Sequence, residues 1–187
     1  MDKDTLDGRK IAILATDGFE QSELLQPRKL LDEAGARTVV VSPGDKQQIK
    51  GWNHGEWGEP VAVDLHLGDA RAADYDALVL PGGVINPDKL RLHDDAIDFV
   101  RDFGRSGRPV AAICHGPWTL INAGLAKGRH LTSWPSLRID LENAGAHWED
   151  REVIVDGNLI TSRKPDDIPA FTRARIHMLE ERQAQAA

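Results

Sequence analysis

The stretch Val110-Ala111-Ala112-Ile113-Cys114-His115-Gly116-Pro117 decides the fold class of this chain. Its first four residues are apolar without interruption, which predicts a short strand buried on both faces. A helix predicted at about 118–123 begins almost at once behind it. Cys114 therefore falls at a sharp strand-to-helix turn, where a side chain projects above the carboxyl ends of the strands.

The same alternation of strand and helix signals continues along the chain. Strands are predicted at 10–15, 38–42, 77–80 and 109–113, and helices at about 20–34, 94–103, 118–123 and 169–182. Short connections between such elements imply right-handed βαβ units. The sequence therefore predicts an open, doubly wound α/β fold of the flavodoxin-like type, with a mostly parallel sheet and helices on both faces.

Two segments interrupt this alternation. Residues 47–67 contain three glycines beside Trp52 and Trp57, which indicates a hairpin-like excursion whose aromatic residues are expected to pack on a partner subunit. Residues 152–161 place two strand-like runs around Asp156-Gly157, which is a strong signal for a β-hairpin in the C-terminal half.

Length and composition limit the class of protein. The chain has 187 residues, 41% hydrophobic and 28% charged, which favours a single domain over 1–187 with its core at about 9–183. The net charge of −7 argues against nucleic-acid binding. The apolar run after the polar first ten residues is too short for a signal peptide or membrane span, so we expect a cytoplasmic protein.

Cys114 is the one cysteine of the chain, so no internal disulfide can form. The positive end of the following helix dipole and the neighbouring His115 both favour a thiolate. The sequence therefore predicts that this thiol is a reactive nucleophile that titrates well below an ordinary cysteine.

Backbone donors are expected beside the nucleophile. Leu80-Pro81-Gly82-Gly83 ends the preceding strand at the same edge of the sheet, and its two glycines allow N–H groups to approach a ligand closely. Together with the N–H of His115, they predict an oxyanion hole for attack on a carbonyl.

Two acidic residues follow the first strand within one helical turn. Glu23 is interpreted as a first-turn residue that interacts with the helix dipole. Glu20 lies nearer the end of the strand, and a protonated carboxyl there would donate a hydrogen bond to the thiolate.

Taken together, these fragments resemble the DJ-1/PfpI superfamily, and specifically its PfpI-like branch of intracellular cysteine hydrolases and general stress proteins. The resemblance runs from about Lys10 to the C-terminal helix. The matching fragments are Asp17-Gly18-Phe19-Glu20 with Glu23-Leu24, Leu80-Pro81-Gly82-Gly83, Ala112-Ile113-Cys114-His115-Gly116-Pro117, Thr132-Ser133-Trp134-Pro135, Val155-Asp156-Gly157-Asn158 and Thr161-Ser162-Arg163 with Pro165.

The resemblance implies a role for each matching residue. Cys114 corresponds to the nucleophile, Glu20 to the acid at the thiol, and Gly83 with His115 to the backbone oxyanion donors. His115 also corresponds to a triad histidine that an acid of a neighbouring subunit orients, here Asp88, which implies a homodimer or higher oligomer. Trp134 stands where a tyrosine often lines the substrate pocket in the family.

Two other sites fit the sequence less well. The superfamily is related to class I glutamine amidotransferases, which use a late His-x-Glu, but His147-Trp148-Glu149 precedes the hairpin and reads as a strand. His54, Glu56 and His66 lack the spacing of a compact zinc motif, so no metal and no cofactor are predicted.

The favoured activity is attack of the thiol on reactive aldehydes such as methylglyoxal, or on their early protein adducts. This is glutathione-independent glyoxalase or protein deglycase chemistry, with His115 or Glu20 moving protons. An intracellular cysteine peptidase is the alternative enzyme. A redox-sensing or protective stress protein that oxidises Cys114 without turnover is the alternative outside enzymology.

Overall fold

The computed structural model describes residues 5–186, so residues 1–4 and 187 of the predicted domain lie outside the described part. The strands are β1 Lys10–Leu14, β2 Phe19–Glu20, β3 Arg37–Ser42, β4 Gln48–Asn53, β5 Glu56–Ala62, β6 Leu65–His66, β7 Ala77–Leu80, β8 Val110–Ile113, β9 His130–Leu131, β10 His147–Trp148, β11 Val153–Asp156 and β12 Leu159–Ser162. The helices are α1 Gln21–Glu33, α2 Ile85–Leu90, α3 Asp94–Arg105, α4 Pro117–Asn122, α5 Arg138–Asn143 and α6 Ile168–Ala186.

The central sheet has the strand order β11-β12-β8-β7-β1-β3-β6. All neighbouring pairs are parallel except β11 and β12, which form the antiparallel hairpin predicted around Asp156-Gly157. The predicted doubly wound α/β fold with a mostly parallel sheet is therefore confirmed.

Both faces of this sheet are buried, as the alternation of side chains along β1 shows. Ala12 and Leu14 join the apolar cluster that includes residues of α3, α4 and α5. Ile11 and Ile13 join the opposite cluster, which includes residues of α1 and α6. Helices cover the sheet on both sides, and the carboxyl ends of its strands remain as the edge where side chains can meet.

The excursion at 47–67 is a hairpin, as predicted, but it belongs to a second sheet. β4 and β5 pair antiparallel, and β4 also pairs in parallel with the two-residue strand β2, which places Glu20 opposite Trp52. Trp52 and Trp57 contact each other edge to face, with ring centroids 5.4 Å apart. The hairpin is thus attached to the segment that leads into α1.

Several short elements were not predicted. They are β2, β6, β9 and the six-residue helices α2 and α5. The strand β10, which pairs in parallel with β9, lies in the segment interpreted as a strand from the sequence. Each is too short to develop a clear hydrophobic period, so its conformation depends on contacts with the rest of the fold.

Among the described residues, no helix combines the length and the apolar character that crossing a membrane requires.

The aromatic side chains on the buried face of α3 allow the packing of the core to be tested. Phe103 is fully buried and contacts Phe99 edge to face, with ring centroids 5.3 Å apart. We expect Phe103→Ala to lower the free energy of unfolding by about 3–5 kcal/mol, because it removes apolar contacts and leaves a cavity. Urea denaturation measures this, with Leu92→Ala as control, since Leu92 is 83% exposed. A loss equal to that of the control would contradict the assigned packing.

Candidate active site

Cys114 occupies a strained backbone position directly after β8. Its φ is 61°, in the left-handed region that residues with a Cβ rarely adopt. Three backbone hydrogen bonds hold the turn: the Cys114 N–H donates to Ser162 O (3.0 Å), the Trp134 N–H donates to Cys114 O (2.9 Å), and the Gly116 N–H donates to Ile113 O (2.8 Å). The predicted sharp strand-to-helix turn is therefore present, and Cys114 is 7% exposed in it.

Two backbone N–H groups donate to the sulfur, those of Gly83 and His115. Gly83 has φ 75°, and a Cβ there would lie 2.5 Å from Gly18 O and 2.6 Å from Glu20 N, so the loop requires glycine. These are the two donors that the sequence predicted for an oxyanion hole, and the structure brings both to Cys114.

Asn86 fixes the loop that carries Gly83. Its side-chain amide donates to Pro81 O (3.0 Å) and Gly82 O (3.3 Å), and its Oδ1 accepts from the Thr16 N–H (2.8 Å). The residue is fully buried. Sequence reasoning missed this residue, because nothing in its local pattern reveals that the loops after β1 and β7 both bond its side chain.

The acid at the thiol is Glu23, which is fully buried on the first turn of α1. Its Oε2 accepts from the Gly82 N–H (2.8 Å). Its Oε1 makes no hydrogen bond to a nitrogen or oxygen atom in the described part of the chain. The carboxyl lies within hydrogen-bonding reach of the Cys114 sulfur. Burial raises the pKa of Glu23 to about 8, so this carboxyl is mostly protonated at neutral pH.

The prediction that Glu20 makes this contact is wrong. Glu20 precedes α1 in extended backbone and accepts from the Ser22 hydroxyl (3.0 Å), whereas Glu23 is carried by the helix against the Gly82 loop. The two carboxyls are three residues apart in the sequence. Because Glu20 belongs to the short strand β2, helix α1 begins only after it.

The predicted direction of the thiol pKa is also wrong. Burial raises the pKa of Cys114 and a negative charge on Glu23 raises it further, while the hydrogen bonds from Gly83 and His115 lower it. Placing two negative charges in one desolvated site costs far more free energy than placing one. The thiol and the carboxyl therefore titrate as a pair. The helix dipole invoked from the sequence comes from α4, which has only six residues.

His115 is placed to take the thiol proton. Its Nδ1 lies 3.2 Å from the Cys114 sulfur, and burial lowers the pKa of His115, which keeps the imidazole neutral at neutral pH and therefore able to accept a proton. The ring lies between two indoles: Trp118 contacts it edge to face (5.2 Å between centroids) and Trp134 stacks on it (6.2 Å, 23° between planes). Trp134, predicted to line the pocket, is 40% exposed at this position.

Trp118 is itself held in place. Its indole N–H donates to Asp140 Oδ2 (2.8 Å), and the Arg91 guanidinium lies over its ring, 5.4 Å from the centroid. Arg91 in turn donates to Asn122 Oδ1 (2.8 Å). Within one subunit, aromatic packing therefore restrains the His115 ring.

Asp88 does not take part in this arrangement within one subunit. It is exposed in the first turn of α2, and no hydrogen bond joins it to His115 among residues 5–186. An acid supplied across a subunit contact therefore stays a prediction.

The late His-x-Glu segment has another partner. Glu149 Oε1 lies 3.0 Å from Nδ1 of His130, and the ring of His147 stacks on His130 with centroids 4.9 Å apart. These side chains contact each other rather than the Cys114–His115 pair.

Comparison with known proteins gives consistent results. A model of the DJ-1/PfpI family matches residues 9–178. Putative cysteine protease YraA of Bacillus subtilis is 42% identical over 172 residues (92% of this chain, 99% of the relative). General stress protein 18 of the same species is 44% identical over 174 residues (92% and 99%), and protein/nucleic acid deglycase 2 of Escherichia coli is 44% identical over 172 residues (91% and 98%).

The fold has a close counterpart among solved structures. A two-domain protein of Anabaena variabilis, with DJ-1/ThiJ/PfpI-like and ferritin-like domains, superimposes with a TM-score of 0.86 at 37% identity. The match covers 91% of this chain and 48% of that one.

The raised pKa of Glu23 predicts a dependence of stability on pH. Between its ordinary value of 4.5 and about 8, the folded protein keeps a proton that the unfolded chain has lost. The stability contributed by this group is therefore full below pH 4.5 and declines as pH rises towards 8, by up to about 1.4 kcal/mol per pH unit. Urea titrations of wild type and Glu23→Gln from pH 5 to 8 should show a flatter profile for the variant. Parallel profiles would contradict a neutral, buried Glu23.

The same contact predicts the reactivity of the thiol. At pH 7 the protonated Glu23 donates to the thiolate as it forms, so Glu23→Ala should slow alkylation at pH 7 at least about tenfold. Glu23→Gln keeps a donor and should lie between the two. Iodoacetamide rates followed by mass spectrometry test this, with Glu33→Ala on the exposed end of α1 as control. Equal rates for Glu23→Ala and wild type would show that the carboxyl does not reach the sulfur.

Proposed function

Because this chain belongs to the DJ-1/PfpI family, we propose that it is a stress-response cysteine hydrolase that acts on reactive aldehydes or their early protein adducts. One observation carries the proposal: a single buried sulfur is surrounded by two backbone N–H donors, a protonated carboxyl and a neutral imidazole. This set supplies a nucleophile, an oxyanion site and a proton carrier for addition to a carbonyl. The family relatives named deglycase and general stress protein support it.

The first step is addition of the thiol to the aldehyde carbon of an α-oxoaldehyde such as methylglyoxal. Because burial raises the thiol pKa, the proton has to leave during attack, and Nδ1 of His115, 3.2 Å from the sulfur, is the base that reaches it. The S–C bond forms as the carbonyl π electrons move to oxygen, to which the Gly83 and His115 N–H groups donate. His115 then returns the proton to that oxygen and gives a neutral hemithioacetal.

The second step is isomerisation. His115 removes the proton from the former aldehyde carbon and delivers it to the adjacent carbon. The hydroxyl proton passes to the neighbouring carbonyl oxygen, so the hemithioacetal becomes a thioester of a 2-hydroxy acid. Addition of water to the thioester releases the 2-hydroxy acid and restores the thiol. The net reaction consumes one aldehyde and one water and needs no oxidant or reductant. Glu23 keeps its proton throughout and stabilises each sulfur anion by donation.

The enclosed position of the thiol favours a small electrophile over an extended peptide. Cys114 is 7% exposed, and the His115 and Trp134 rings stack beside it. Hydrolysis of an internal peptide bond would require room on both sides of the scissile carbonyl. One relative is named a putative cysteine protease, which supports peptidase activity as the alternative function.

Turnover of methylglyoxal without glutathione tests the proposal. Wild type should release lactate, Cys114→Ser should abolish release, and His115→Ala should lower kcat by about 10²–10⁴-fold, the usual contribution of a general base. His177→Ala is the matched control, since its side chain is 70% exposed on α6. Lactate formation that survives in Cys114→Ser would refute the mechanism. Cys114-dependent cleavage of a fluorogenic peptide would favour the peptidase, and peroxide oxidation of Cys114 without any turnover would favour a protective role.

A further inference from the structure

A second cavity lies at the amino ends of β1 and β3 and has a volume of about 310 Å³. Cys114 follows the carboxyl end of β8, and β1, β3, β7 and β8 all run in the same direction. The cavity and the thiol therefore lie at opposite ends of the strands. The proposed reaction does not use this cavity, so a ligand here would be additional to the substrate at Cys114. The residues that line it are Lys10, Arg37, Thr38, Val39, Asp64 and Leu65.

Two of the lining residues form a cross-strand pair of like charge. Lys10 and Arg37 are direct partners in the register of β1 with β3. The next pair on the same face of the sheet, Ala12 with Val39, belongs to the apolar cluster that includes residues of α3. Adjacent strands are only about 4.7–4.9 Å apart, and like charges at partner positions repel each other. The pair therefore costs free energy unless an anion lies between the two side chains.

The carboxylates around this pair already have arginine partners. Asp64, the one acid of the lining, accepts through Oδ2 from the Val40 N–H (2.8 Å) and the Arg28 guanidinium (3.1 Å). Among residues 5–186, neither Lys10 nor Arg37 forms an ion pair with a carboxylate. Two cations thus face one carboxylate that is already paired, in a chain whose net charge is −7. The neighbouring acids are also paired, Asp76 with Arg9 (2.9 Å) and Asp74 with Arg71 (3.0 Å).

Tyr75 restrains the Lys10 side chain beside the cavity. The Lys10 Nζ lies 4.5 Å from the centroid of the Tyr75 ring, a cation–π contact. The tyrosine is 3% exposed, and its ring contacts Phe99 edge to face with centroids 6.1 Å apart. The ammonium group is therefore held by a ring that is itself fixed in the core, which lowers the entropy cost of binding a ligand there.

The hydroxyl of Tyr75 is a further polar group without a partner. It is buried and makes no hydrogen bond in the described part of the chain. Burial raises the pKa of Tyr75, so the phenol keeps its proton at neutral pH, while the positive charge of Arg37 acts in the opposite direction. Arg37 therefore lies within electrostatic reach of the hydroxyl. Two cations and one O–H donor converge on this end of the sheet, and none of them has an acidic partner among residues 5–186.

From these observations we propose that this cavity binds a small anion of the phosphate class, either the free ion or a phosphate monoester. The Arg37 guanidinium can donate two parallel hydrogen bonds to phosphate oxygens, and the Lys10 ammonium pairs with the same group as a point charge. A bound dianion would remove the repulsion between the two cations. The volume of the cavity is at the lower end of the range for small-molecule pockets, which leaves room for a small organic group against Val39 and Leu65.

Titration of the full chain with inorganic phosphate tests the proposal, followed by amide NMR spectra at constant ionic strength. We expect saturable shifts at the backbone amides of Lys10, Val39 and Leu65. Arg37→Gln should weaken binding at least about tenfold, because it removes hydrogen bonds between charged groups. Lys29→Gln is the matched control, since it removes the same charge from a side chain that is 74% exposed on α1 and should leave the dissociation constant unchanged.

Three results would overturn the site. They are the absence of saturable shifts, equal weakening by Arg37→Gln and Lys29→Gln, which would show attraction by net charge alone, and shifts confined to the amides of Gly83 and His115, which would place the anion at the oxyanion donors. Methyl phosphate, titrated in parallel, distinguishes the two sources of the ligand. Tighter binding of methyl phosphate than of inorganic phosphate would support a monoester, and the reverse order would support the free ion. Arg37→Gln should weaken both.

Discussion

The site depends on the desolvation of two ionisable groups in one small space. Glu23 is fully buried and Cys114 nearly so, and a negative charge on either one disfavours a charge on the other. Room for the pair exists only because residue 82 is glycine, since a Cβ there would lie 2.5 Å from Glu23 Oε2 and 2.7 Å from the Cys114 Cβ. The chemistry of the thiol therefore follows from packing as much as from the identity of the residues.

The rest of the fold brings this pair together. Glu23 comes from α1, Gly82 from the loop after β7, and Cys114 from the turn after β8. They meet because parallel strands end at one edge of the sheet and because apolar side chains on both faces hold those strands in register. Asn86 then joins the loops after β1 and β7, as its amide bonds groups of both.

Sequence reasoning succeeded where a local pattern determines the structure. The apolar runs of β1, β3, β7 and β8, the Asp156-Gly157 hairpin and the elbow at Cys114 all follow from composition and spacing, and Gly83 with His115 emerged as the donors. It failed where contact between distant segments decides. Spacing placed Glu20 nearer the end of the strand, and only the contacts of the folded chain show that Glu23 faces the sulfur. The direction of the thiol pKa was missed because burial depends on three segments packing together.

The backbone of Cys114 has a consequence for how such a site persists over evolution. A φ of 61° disfavours any residue with a Cβ, and glycine would adopt it without strain. Selection for stability alone would therefore favour glycine at position 114. Under the proposed function, the cysteine is retained in this conformation for its reactivity, and the packing of the surrounding core compensates for the strain of the turn. In lineages that lose the proposed activity, position 114 is expected to change first, while the sheet and its helices are preserved.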